Sequence, residues 1–257
     1  TIGYMADLEK ASVADVQQFF KTFYVPSNAT LVLVGDFESA QALELVTEYF
    51  GPVPAAEHEI AVNIPEEPPW QGERRLTIQE DWPLPVVVIA HRIPHDGHPD
   101  SYPLHVASKI LSDGQSSRIY RRLVYEEQLA LTAFGQGDII EDPNLFYAVA
   151  IVQPGRKPIE AEQALVDELE RLQDELVEPR ELQRAKNQFA RDYIIGRTSN
   201  QQKASHLAHA AVIHKDLTTA DGEFEIFMQI TIQDLQRVAR TYFTPENRLI
   251  LNVAPKE

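Results

Sequence analysis

The sequence predicts an α+β fold, an antiparallel sheet with helices packed on it, and three observations predict it. Short β-branched runs alternate with segments of helical period. A helix-then-strand unit occurs twice at a constant offset. A proline-rich stretch separates the first copy from everything that follows. Composition fits an ordinary globular protein: of 257 residues, 44% are apolar and 24% charged. Charge is less ordinary, with 39 acidic against 23 basic residues and a formal net charge of −16. A phosphate-tracking protein needs a basic face, so nucleic acid is excluded as a partner, and docking on anionic lipid is disfavoured. The absence of cysteine removes thiol catalysis, disulfide scaffolds, zinc ribbons and iron–sulfur sites. No apolar run approaches the ~18 residues of a membrane span. The start, Thr1-Ile2-Gly3-Tyr4, is no signal peptide and lacks an initiator Met, so the chain reads as a processed or excised piece.

Ser12 opens the first clear helix, with Asp15 three residues on as an approximate capping box. Val16, Phe19, Phe20 and Phe23 share one helical face, and Pro26 ends the element. Ala29 to Val34 is a β-branched run closed by Gly35-Asp36, which predicts a strand. A second helix covers Ala40 to Phe50. Residues 51–70 carry Pro52, Pro54, Pro65, Pro68 and Pro69 among acids with no period, the pattern of an extended linker. After it, Arg74–Glu80 and Leu84–His91 are predicted strands, and Ser101–Leu111 a helix. A second helix lies near Ser117–Glu127. Ala130–Ile140 and Asn144–Val152 are predicted to pair as an antiparallel hairpin through Glu141-Asp142-Pro143. Leu165, Leu169, Leu172 and Leu176 repeat at helical spacing. Pro179 suits the first turn of a further helix, whose end Gly196 marks. More helix runs from Gln201 to about His214.

The duplicated unit aligns residues 12–28 with 231–247, an offset of 219 throughout. Asp15/Asp234, Gln17/Gln236, Thr22/Thr241, Pro26/Pro245 and Asn28/Asn247 are identical pairs. The apolar face is kept as well, Val16, Phe19, Phe20 and Phe23 against Leu235, Val238, Ala239 and Tyr242. The second copy closes a unit that starts near residue 70. The first copy therefore closes an earlier unit that starts upstream of Thr1.

Few residues offer chemistry. His206, His209 and His214 lie on one predicted helix but span about 140° of its surface, with no carboxylate placed to complete a metal site, so they read as a polar helix face. His95-Asp96-Gly97-His98 reads as an exposed turn. His91 ends a strand and His105 sits in a helix among apolar residues, both structural positions. There is no G-x-S-x-G elbow and no phosphate loop. Gly114-Gln-Ser-Ser-Arg118 is either a simple capped turn or a helix start whose amides, with Arg118, hold a carboxylate or peptide carbonyl.

Tyr24-Val-Pro-Ser-Asn-Ala-Thr-Leu-Val-Leu-Val-Gly-Asp36 resembles the "Y-x-P-x-N-A-x-L-V-V-x-G-D" strand of the insulinase/pitrilysin family of zinc metallopeptidases, which includes bacterial zinc proteases and the mitochondrial processing peptidase. Ile110-Leu-Ser-Asp-Gly-Gln-Ser-Ser-Arg-Ile-Tyr120 is similar to the family's "I-L-G-x-G-x-S-S-R-L-Y", followed by Leu123-Val-Tyr-Glu-Glu127. Asp142-Pro-Asn-Leu-Phe146 fits its hairpin, and Glu178 to Ala190 its "T-x-E-E-L-x-R-A-K" helix. The similarity covers nearly the whole chain. It implies one half of a duplicated metallopeptidase clamshell: residues 1–50 as the end of the first, zinc-type domain, 51–70 as linker, and 71–257 as a homologous domain without zinc.

Family catalysis rests on an H-x-x-E-H helix and a downstream Glu, which hold zinc and supply a general base. No H-x-x-E-H occurs here. The resemblance aligns His105-Val-Ala-Ser-Lys109 with that helix, so His105 fills the first His slot, Ser108 stands at the base and Lys109 at the second His. A Lys cation has no free lone pair, so no catalytic or metal residue is expected in this chain, and zinc is expected in the missing upstream domain. Some family members grip the scissile carbonyl with an Arg and a Tyr; Phe146 and Gln153 stand in those places. The candidate substrate contacts are Ser117, Arg118, Phe146 and Tyr147. The resemblance implies a wall of the peptide chamber of a zinc-dependent endopeptidase, inactive as this chain alone. The alternative is a non-catalytic member acting as a peptide-binding or assembly subunit. Expected partners are peptide substrates, the upstream zinc domain and a homodimeric or heterodimeric related subunit. The expected compartment is the periplasm, with the cytoplasm as alternative.

Overall fold

The computed structural model describes residues 3–56, 60, 63–65 and 67–256. Thr1, Ile2, Glu257 and positions 57–59, 61–62 and 66, which fall in the expected linker, lie outside the described residues. The α-helices before residue 51 are α1 (Met5–Lys10), α2 (Val13–Phe23) and α3 (Ser39–Phe50). Ser12 caps α2 through the expected reciprocal box, its Oγ accepting from the Asp15 amide at 3.2 Å. The expected strand at 29–34 is not formed. Its Leu31 and Leu33 are exposed, and no described strand lies beside it to pair its backbone groups, which a strand requires.

Beyond the linker come β1 (Arg74–Glu80), β2 (Val86–Ile93), α4 (Ser101–Ser112), α5 (Arg118–Tyr120), β3 (Ala130–Gly137), β4 (Asn144–Val152), α6 (Pro158–Asp174), α7 (Pro179–Ile195), α8 (Asn200–His209), α9 (Thr219–Gln229), α10 (Ile232–Tyr242) and β5 (Arg248–Pro255). The π-helical turns Arg121–Glu126 and Ala210–His214 extend α5 and α8. The sheet order is β1-β5-β2-β4-β3. Three pairings are antiparallel, but β1 runs parallel to β5, so the sheet is mixed rather than purely antiparallel. The hairpin β3–β4 forms as its turn residues require. Sequence periodicity gave no sign of α1 or α9.

Alternation divides the sheet. Val87, Ile89, His91 and Ile93 of β2 and Phe146, Ala148, Ala150 and Val152 of β4 are buried on one face. They meet Leu104, Ile110 and Leu111 of α4, Leu165, Leu169 and Leu172 of α6, and Leu235, Val238 and Ala239 of α10 in one core. Each fully buried Val, Leu, Ile or Phe among them contributes roughly 1.5–3 kcal/mol. The other face carries Val88, Tyr147, Val149 and Ile151, only partly covered, with Phe134 exposed.

Candidate functional site

α4 packs beside the edge strand β3, and between them lies a cleft of ≈ 260 Å³ lined by His105, Ser108, Lys109, Asp113 and Gln136 among others. His105 meets Phe189 and Phe227 edge-on, ring centres 6.1 and 5.3 Å away. Burial, helped by the charge of Lys109, pushes its pKa down to about 4, so the imidazole is neutral at pH 7. Ser108 Oγ donates to the Leu104 carbonyl at 3.1 Å and accepts from the Gly137 amide at 3.0 Å, tying helix to strand. Lys109 Nζ sits 2.8 Å from Asp192 and 3.3 Å from Asp113. Its hydrogen bond holds the Asp192 carboxyl below the usual range. The neutral His105 imidazole is a weak base, the Ser108 hydroxyl is committed to the backbone, and the Lys109 ammonium is paired with two carboxylates. They can donate hydrogen bonds to a carbonyl or carboxylate.

Three of the four candidate contact residues are buried. Ser117 is fully buried and its Oγ has no hydrogen-bond partner. Arg118 is fork-paired with Glu181, Nε donating to Oε1 at 2.9 Å and Nη2 to Oε2 at 2.7 Å. Burial works to raise the Glu181 pKa, but the Arg118 bonds outweigh it and keep the carboxyl below its ordinary value. Phe146 lies in the core against Phe243, ring centres 4.7 Å apart. Only Tyr147 reaches the open sheet face, beside Phe134 at 6.4 Å. The fold therefore brings Ser117 and Arg118 together at the start of α5, and sets Phe146 and Tyr147 on opposite faces of β4.

The histidines separate differently from expectation. His206 turns to α9, with Nε2 2.8 Å from the Ala220 carbonyl and Nδ1 3.0 Å from Arg197. His209 and His214 turn to Asp96, in the loop after β2, at 3.0 and 3.4 Å. Sequence reasoning missed this carboxylate because it lies more than a hundred residues earlier in the chain. Its signal was the turn His95-Asp96-Gly97-His98 itself, an acid with a glycine that has φ +81°. His91 is fully buried with neither ring nitrogen partnered, and burial pushes its pKa down to about 4.

The sequence model of one family, the peptidase M16 inactive domain, matches residues 10–189. The zinc protease PqqE of Helicobacter pylori (strain ATCC 700392 / 26695) is 28% identical over 245 residues, 94% of this chain and 55% of that protein. The crystal structure of a protease from Helicobacter pylori superimposes with a TM-score of 0.92 at 27% identity, covering 99% of this chain and 62% of the other. The periplasmic protease PqqL of Escherichia coli shares the fold, with a TM-score of 0.77 at 17% identity over 100% of this chain and 28% of its own. This chain thus spans about half the length of the curated relative that it matches almost throughout.

Proposed function

Because this chain belongs to the peptidase M16 inactive-domain family, we propose that it forms a non-catalytic wall of the peptide chamber in a larger zinc-dependent metalloendopeptidase. Zinc and the general base would lie in an upstream domain. The observation that carries this reading is Lys109, an ammonium held between Asp113 and Asp192 at the position that the resemblance aligns with a zinc-binding His of the zinc-type domain. We further propose the division into residues 1–50, linker 51–70 and 71–257, with Ser117 and Arg118 shaping the wall from behind and Tyr147 meeting peptide. The relationship to a periplasmic protease supports a periplasmic location.

A second reading, an assembly or peptide-binding subunit, draws on α2, whose Val16, Phe19 and Phe20 are more than half exposed. An apolar stripe of that kind suits packing against another domain or a related subunit. One experiment separates the two. The native-length protein is assayed on an unfolded peptide with and without chelator, beside residues 1–257 alone. Chelator-sensitive cleavage by the native-length protein and none by the fragment is expected. Cleavage by the fragment would overturn both readings, and an inactive native-length protein that still binds peptide would leave the second.

A further inference from the structure

We propose that Asp96, His209 and His214 bind one divalent transition-metal ion of the zinc class, clamping the loop after β2 to the end of α8. Asp96 Oδ2 lies 3.0 Å from His209 Nε2, and Asp96 Oδ1 3.4 Å from His214 Nε2. One ligand atom from each residue lies within 4.8 Å of the others. A tetrahedral ion with bonds of about 2.0–2.2 Å holds its ligand atoms roughly 3.3 Å apart. The two histidines face different oxygens of the Asp96 carboxylate, so a small rotation of that carboxylate, or its binding through both oxygens, would close the set on one ion.

His214 points to a ligand independently. Its side chain is only 6% exposed, and both ring nitrogens are buried without a hydrogen-bond partner. Buried polar groups in this state are rare and call for an ion or water to complete them. The surroundings hold the group in place. The ring packs beside Gly97, 3.7 Å from where a Cβ there would stand, an ordinary van der Waals distance. The Gly97 amide donates to Asp96 Oδ1 at 2.7 Å and orients the carboxylate.

The helix geometry explains how the two histidines meet. In a regular α-helix a spacing of five residues points side chains well apart. Here Ala210–His214 is π-helical, and i→i+5 bonding makes five residues roughly one turn. The expectation of a dispersed polar face fails for that reason, and because Asp96 supplies the missing carboxylate. Two imidazoles and one carboxylate suit zinc and its neighbours, with a fourth position left for water. Calcium and magnesium, which take six or more oxygen ligands, do not match this set. The proposed ion would join two segments far apart in sequence, and the site stands whether or not the chain lines a chamber.

The test uses untagged protein of residues 1–257, titrated with Co(II) followed by its visible absorption, and with Zn(II) against a chromophoric chelator. One ion per chain is expected, and a hundredfold excess over Kd should raise Tm by roughly 5 °C. His209 is half exposed, so His209→Gln should fold normally by circular dichroism. It should weaken binding at least tenfold and abolish the Tm rise; Asp96→Asn should do the same. Absence of stoichiometric binding in the wild type would overturn the site, as would binding unchanged in both variants.

Discussion

Asn28 and Asn247 do the same work 219 positions apart: each donates its side-chain amide to the carbonyl five residues earlier, Phe23 at 3.0 Å and Tyr242 at 2.8 Å. The correspondence extends through the duplicated unit. Thr22 and Thr241 each donate a hydroxyl to the carbonyl four residues back, both at 2.9 Å. Asp15 and Asp234 complete matching capping boxes with Ser12 and Thr231. The helices Val13–Phe23 and Ile232–Tyr242 are each followed by a 3-10 turn, Pro26–Asn28 and Pro245–Asn247. Four of the five identical pairs are thus the residues that start, brace and turn the helix. The copies part only where the chain must find a partner: Arg248–Pro255 enters the sheet, and 29–34 pairs with no described strand.

The two asparagines should nevertheless differ in worth. Asn247 also donates to the Arg92 carbonyl of β2 at 2.9 Å in a half-buried setting, whereas Asn28 is exposed. Asn247→Ala strips a donor from two carbonyls and should cost about 1–3 kcal/mol, while Asn28→Ala should cost about 0.5 kcal/mol or less. Urea unfolding followed by tryptophan fluorescence measures both. Equal losses would show that the shared geometry, and not burial, sets the energy.

Acid should destabilise the chain through His91. Its folded pKa of about 4 lies below the ordinary 6.5, because burial disfavours the charged ring. The folded state therefore binds fewer protons than the unfolded one between those values. Stability is fully present above pH 6.5 and falls as pH drops through 4, by up to about 3 kcal/mol from this group. His105 acts in the same direction. His91→Leu should flatten the dependence of the urea midpoint on pH between 6.5 and 4 without abolishing it. A wild-type midpoint constant across that range would contradict the neutral buried ring.

Local signals carried most of the fold. Capping residues, prolines and alternation placed α2, α4, α7, α10 and four strands within a few positions, because each depends on neighbours in sequence. Mixed sheet pairing was not legible, since no residue type marks β1 as parallel to β5. At the site, the charge of Lys109 was plain in the sequence, but its pairing with Asp192 was not, because that carboxylate comes from α7. The burial of Ser117, Arg118 and Phe146 did not show, because exposure depends on what α7 and α10 bring from elsewhere. The meeting of Asp96 with His209 and His214 did not show for the same reason: the π-helical turn after α8 and a distant loop create it.

Arg118 should depend on Glu181 for its place in the interior. Its side chain is 7% exposed and Nη1 lacks a partner, so little water could replace the carboxylate. Glu181→Ala should therefore cost about 3 kcal/mol or more by stranding the guanidinium. The double variant Arg118→Met with Glu181→Leu should recover much of that loss. A double-mutant cycle with coupling near zero would show the pair to be no more than a surface contact.

Phe146 and Tyr147 allow peptide contact to be separated from packing. They are adjacent on β4, so their side chains point to opposite faces. Phe146 is fully buried, and its partner across the strands is His91. Phe146→Ala leaves a cavity and should cost about 3–5 kcal/mol. Tyr147 lies on the open face, paired across the strands with Ala90 and Gln136, so Tyr147→Ala should leave stability nearly unchanged. If the open face lines a peptide chamber, the same substitution in the native-length protein should raise KM for an unfolded peptide several-fold while kcat holds, because binding is lost without touching the reacting groups. Phe146→Ala should lower the amount of folded protein and leave KM of the folded fraction alone. Unchanged KM in Tyr147→Ala would remove this face from the chamber, and the cleft between α4 and β3 would become the surface to mutate next.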